Sequence, residues 1–121
     1  MQTRVSDCPI EGAMVLLSGR WRALIIYYLE QGPMRFNELK RANQGISQQM
    51  LSHELRALEA AGVVSRTVFP EVPPRVEYGL TEAGRRLMPI INQLAGWWES
   101  TQAAAKAPAE TLSNFEAEVA N

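Results

Sequence analysis

The chain has 121 residues, 46% of them hydrophobic, enough for one core and one domain and too few for a second, catalytic one. One cysteine and one histidine exclude an intrachain disulfide framework and a tetrahedral zinc site within one protomer, and no apolar run reaches the ~18 residues of a membrane span. The formal net charge is −1, but the stretch from Arg35 to Arg86 carries eight basic and six acidic residues, a local +2 that leaves −3 for the remainder.

Pro9 suits the first position of a helix, where its missing N–H is no loss, and a helix is predicted from there to about Leu17, broken by Ser18 and Gly19. A second helix is predicted over 20–30. Leu17, Trp21, Leu24, Ile25, Tyr28 and Leu29 give it an apolar face broad enough for a central helix buried on more than one side. Gln31, Gly32 and Pro33 end it, and Met34 with Arg35 suits a very short strand. A helix over 36–42 follows, with Phe36, Leu39 and Ala42 inward and Lys40 and Arg41 outward. After a tight turn at 43–45 the next helix opens at Ser47, an N-cap residue type, and closes at Gly62, the residue type found just past a helix end. Within it Leu51, Leu55 and Leu58 recur at i, i+4 and i+7 as one apolar stripe.

Two β-rich runs, 63–69 and 76–80, flank a loop stiffened by Pro70, Pro73 and Pro74, which is expected to project as a rigid finger carrying Arg75. Thr81 then caps a last long helix through Leu87, Ile90, Ile91, Leu94, Trp97 and Trp98, with Pro89 expected to bend it. The fold class is therefore mainly α with a small β-hairpin wing (α+β): a winged helix-turn-helix. Residues 1–100 are expected to form the DNA-binding and dimerisation domain. Residues 101–121 form an Ala-rich acidic tail, with a short helix expected only around 112–119.

The side chains off the leucine stripe at the start of the second helix of the motif are Ser47, Gln48, Gln49, Ser52 and His53. Their hydroxyl, amide and imidazole groups donate and accept hydrogen bonds in geometries suited to base edges, and that end of the helix enters the major groove in helix-turn-helix proteins. The competing reading is the solvated face of an amphipathic helix. Arg56 follows on the same face as a candidate phosphate contact, with an i, i+3 ion pair to Glu59 as its alternative. Arg35, Lys40, Arg41 and Arg66 are further backbone candidates. Arg75 is a candidate minor-groove arm, unless Glu77 holds it in a salt bridge. The small basic excess predicts few phosphate contacts per protomer, so useful affinity requires two half-sites brought together by a homodimer. Ile90, Ile91, Leu94, Trp97 and Trp98 read as the dimer interface, in preference to a ligand pocket.

Cys8, just before a helix start, is favoured as thiolate by the helix dipole and is a candidate redox sensor; its alternative is an inert, buried thiol. Its only possible disulfides are with Cys8 of a second copy or with a small thiol.

The order of these elements brings together short motifs: Cys8-Pro9, Gly19-Arg20-Trp21, Arg35-Phe36-Asn37-Glu38-Leu39, Gly45-Ile46-Ser47, Leu55-Arg56-Ala57-Leu58-Glu59, Val72-Pro73-Pro74-Arg75-Val76-Glu77-Tyr78, and Leu80-Thr81 with Gly84. In this order and spacing the chain resembles the HxlR-type winged helix-turn-helix transcription regulators from Cys8 to about Trp98. The resemblance implies a dimeric DNA-binding regulator whose first and last helices build the dimer interface, and members with a cysteine at this position include sensors of oxidants, quinones or aldehydes. Arg20 stands where many members have Lys, and the tail beyond Trp98 lies outside the family pattern.

The expected function is sequence-specific binding to a two-fold symmetric operator, as a repressor more than an activator, in the cytoplasm, with a possible oxidant or small-molecule effector and no cofactor. The alternative is a winged-helix protein interaction module without specific DNA binding. An enzyme is not expected: the sequence has no phosphate-cradling Gly-rich loop, nucleophile elbow or metal-ligand cluster, and His53 beside Glu54 on an exposed helix is poor support for catalysis.

Overall fold

The structure is a computed structural model that describes residues 7–106; the helix expected around 112–119 lies outside them. The elements run α1 (Pro9–Leu16), α2 (Arg22–Leu29), α3 (Phe36–Ala42), α4 (Gln48–Ala60), β1 (Val64–Phe69), β2 (Arg75–Leu80) and α5 (Glu82–Lys106). The chain divides into two units, residues 1–88 and 89–121, and the division falls at Pro89, inside α5.

In the first unit the core is aliphatic. Ile25, Ile26 and Leu29 from α2, Leu39 from α3, Leu51, Leu55 and Leu58 from α4, and Val63 and Val64 at the start of the hairpin are all buried. α2 begins two residues later than the sequence suggests, because Gly19, at φ +81°, turns the chain and leaves Arg20 and Trp21 in the connection. Of the expected face Ile25 and Leu29 are buried, Leu17, Trp21 and Tyr28 half-buried and Leu24 exposed, while Ile26, outside that set, is fully buried. α1 buries none of its residues.

The hairpin is a two-stranded antiparallel sheet in the register Val64 to Leu80 and Phe69 to Arg75. Met34 supplies the short strand expected there: its N–H donates to the Tyr78 carbonyl at 2.9 Å, and the Tyr78 N–H donates back at 2.8 Å. That bridge occupies the outer edge of β2 at one point and anchors the wing to the α2–α3 connection.

Two residues fix the join between α4, the hairpin and α5. The Thr81 hydroxyl donates to the Gly62 carbonyl at 2.6 Å and accepts from the Gly84 N–H at 3.1 Å, so it caps the first turn of α5 while holding the end of α4. Gly84 has no room for a side chain: a Cβ there would lie 2.2 Å from the Val63 carbonyl oxygen.

In the second unit the described chain is the remainder of α5. Ile90, Leu94, Trp97 and Trp98 lie on one stripe and are 50–60% exposed, whereas Ile91 is buried.

Candidate nucleic-acid interface

α4 separates its side chains by face. Leu51, Leu55 and Leu58 are at most 1% exposed, and on the opposite side Gln48, Gln49, His53 and Arg56 are exposed, with Ser52 half-buried. Helical periodicity alone produces the division, so burying the leucine stripe presents the polar face as a rigid unit. Ser47 is the exposed N-cap: its Oγ accepts from the Met50 N–H at 3.0 Å, which commits a lone pair to the helix, and as a hydroxyl it still has a proton to donate.

Ser47, Gln48, Gln49, Ser52 and Arg56 line one open depression, with His53 outside it. A neighbouring depression is lined by Ser52, Leu55, Arg56, Glu59, Arg66 and Tyr78, so the path from the base of α4 leads to the hairpin and brings Arg56 and Arg66 to one concavity. Among the described residues Arg56 forms no ion pair with Glu59.

Lys40 and Arg41 are exposed in the last turn of α3, where cations meet the negative end of the helix dipole favourably. Arg35 is the exposed N-cap residue of α3, and its N–H donates to Glu38 Oε1 at 2.7 Å.

Arg75 is not at the tip of a finger. Pairing continues one residue further than the sequence suggests, to Phe69 opposite Arg75, and draws the arginine into the ladder. Its guanidinium lies 3.9 Å from the centroid of the Phe69 ring. It donates to Glu71 Oε2 at 2.8 Å and to Glu77 Oε2 at 2.5 Å, so the salt bridge weighed as its alternative is present twice over. The hydrogen bonds from Arg75 hold the Glu71 carboxyl below its ordinary value, with the charge of Arg35 adding to the effect, and Glu71 raises Arg75 in return.

Cys8 is exposed, not buried, and occupies the N-cap position of α1 in extended conformation, its carbonyl accepting from the Gly12 N–H at 3.2 Å.

Four residues beside this surface, Glu54, Arg22, Arg20 and Trp21, were not singled out as site residues from the sequence. Glu54, taken there as part of an exposed helix, is 7% exposed and ion-paired with Arg22 at 2.9 Å. Arg20 packs its guanidinium 4.4 Å above the Trp21 ring, and the Trp21 ring edge faces Gly45 in the turn before α4. The signal for Glu54 was available, because position 54 falls on the Leu51–Leu58 stripe.

A family model described as HxlR-like helix-turn-helix matches residues 16–106, which takes in both helices of the motif, the wing and α5. The chain belongs to this family. It is therefore a DNA-binding transcriptional regulator with a winged helix-turn-helix, and not an enzyme. The HxlR-like chain is 45% identical over 95 residues to the HTH-type transcriptional regulator YybR of Bacillus subtilis, covering 78% of this chain and 76% of that one. Among solved structures it is similar to the redox regulator HypR in its reduced form, at 42% identity and TM-score 0.77 over 84% of this chain and all of that one. It is likewise similar to the reduced form of the transcriptional regulator YodB from B. subtilis, at 42% identity and TM-score 0.70 over 76% and 91% of the two chains. Among the described residues of this HxlR-like regulator no helix is long and apolar enough to cross a membrane.

Proposed function

We propose that this regulator binds a two-fold symmetric operator as a homodimer and represses transcription from the cytoplasm, with residues 1–100 supplying both DNA binding and dimerisation. The observation that carries the reading is the polar face of α4, backed by a fully buried leucine stripe. Each protomer would place one α4 in a major groove, with half-sites roughly 10 bp or a multiple apart. Gln48, Gln49, Ser52 and His53 would meet base edges, Ser47 would donate through its hydroxyl, and Arg56, Arg66, Lys40, Arg41 and Arg35 would meet phosphates. Arg75 would join them only by exchanging Glu71 and Glu77 for the nucleic acid.

The dimer reading is supported by the exposed stripe of Ile90, Leu94, Trp97 and Trp98 and by the exposed Ile10, Met14 and Val15 of α1. Ile91, buried in the protomer, would support the helix from behind. Similarity to HypR, described as a redox regulator, together with an exposed Cys8 at the N-cap of α1, supports oxidation of that thiol as the signal.

Footprinting tests the whole reading on DNA from upstream of the protein's own gene and its neighbour, with excess random competitor, before and after diamide. A symmetric footprint is expected that fades on oxidation in the wild type and persists in Cys8→Ser. Binding that competitor removes completely, on these and on further genomic fragments, would favour a protein interaction module instead.

A further inference from the structure

The first residue of α2, Arg22, bridges the end of α1 and the reading helix α4. Arg22 Nε donates to Glu54 Oε1 at 2.9 Å, and the Glu54 side chain is only 9% exposed. Nη1 of the same guanidinium reaches the other way, to the Leu16 and Val15 carbonyls at 3.4 and 3.5 Å. Those carbonyls belong to the last turn of α1, which contains no basic residue, so the cation that meets its negative end comes from α2. α1 fully buries none of its residues, and this polar tether joins the half-buried Leu16 and Leu17 in holding its end.

The opposite end of the tether is equally specific. Glu54 sits on the inward stripe of α4, three residues after Leu51 and four before Leu58, directly behind the face that carries Gln49, Ser52, His53 and Arg56. Gly19, at φ +81°, brings the chain close enough that a Cβ there would lie 3.9 Å from Glu54 Oε2. A well-packed apolar pair of similar volume would serve stability at such a site as well as a largely buried ion pair does. What the planar guanidinium adds is direction, because its fork fixes where both acceptors lie relative to each other.

We propose that Arg22 is a positioning residue for the reading helix: it couples the end of α1 to Glu54, so that a displacement of α1 is delivered as a rotation or tilt of α4. This rests on the DNA-reading function above and supplies it with a route by which events at α1 alter the fit to the groove. Coupling of this kind is reciprocal, so engagement of α4 with its operator must in turn be felt at α1.

The test uses the full-length protein, the operator defined by footprinting and a random duplex of equal length. Arg22→Met alone leaves a buried carboxylate unpaired and should melt at lower temperature. Arg22→Met with Glu54→Leu removes that charge and should recover the thermal stability. The double variant should nevertheless keep a ratio of operator to random-duplex affinity lowered on the order of tenfold. A nitroxide at Ala13→Cys, in a Cys8→Ser background that the function above expects to keep operator binding, reports α1 directly: its mobility should change on operator binding when Arg22 and Glu54 are in place and stay constant in the double variant. Recovery of either the affinity ratio or the nitroxide response in the double variant would overturn the proposal, leaving the pair as structural support. An unchanged nitroxide in the operator-bound protein that keeps Arg22 and Glu54 would overturn it too. A wild type that distinguishes no operator from random DNA would bring down the DNA-reading function itself, an outcome visible before any variant is made.

Discussion

At the scale of single residues, the wing arginine shows how a basic side chain can be present and yet withheld. Arg75 stacks on Phe69 and donates to two carboxylates, so a phosphate has to compete with Glu71 and Glu77 for it. Glu71→Gln should therefore tighten binding to DNA and steepen its salt dependence by about one counterion, and the gain should vanish in Glu71→Gln with Arg75→Gln, as salt-dependent titrations would read. A gain that survives loss of Arg75 would reduce the effect to general charge. The pH dependence follows from the sign of the shift. Glu71 is depressed from its ordinary 4.5 by its hydrogen bonds to Arg75, so the contribution of the pair is complete above that value and is lost as pH falls through the lower folded value. Between about pH 6 and 8 the pair is constant, and any change in DNA affinity there must come from another group.

At the scale of elements, the junction of α4, hairpin and α5 turns on Gly84. Its missing Cβ admits the Val63 carbonyl, while Thr81 bonds both Gly62 and the Gly84 N–H. Gly84→Ala should cost about 1–3 kcal/mol, read by denaturant titration with an unchanged slope, as overpacked sites do. Near-wild-type stability would mean that the backbone relaxes freely at this junction. The helices and the hairpin were legible in the sequence because their signals are local: Pro9 at a helix start, Ser47 at a cap, Leu51, Leu55 and Leu58 at one period. What escaped was set by partners distant in sequence. The leucine stripe marks position 54 as inward, but the partner that neutralises Glu54, Arg22, stands 32 positions earlier and is set by the fold. Arg75 reads as a loop residue until its pairing with Phe69 places it in the ladder. Ile91 and its neighbour Ile90 look alike in an apolar stripe, and only the structure divides them into a buried and an exposed face. The polar face of α4 was predicted from its residue types, and the exposed positions of Gln48, Gln49 and His53 agree with it.

At the scale of the whole molecule, a DNA-binding chain of net charge −1 has no overall basic excess, so on the proposed function the placement of its cations would matter more than their number. Few phosphate contacts per protomer would then leave much of the discrimination to base contacts and to the doubling that a dimer would provide. On the proposed function, the polar face of α4 reads sequence. The most direct measurement is the ratio of operator to random-duplex affinity, at several salt concentrations, for the wild type and for Gln48→Ala with Gln49→Ala. Each lost base contact should cost about 1–3 kcal/mol of discrimination, so the ratio should collapse while random-duplex affinity and its salt slope stay put. Equal loss on both duplexes, or no loss on either, would contradict the account.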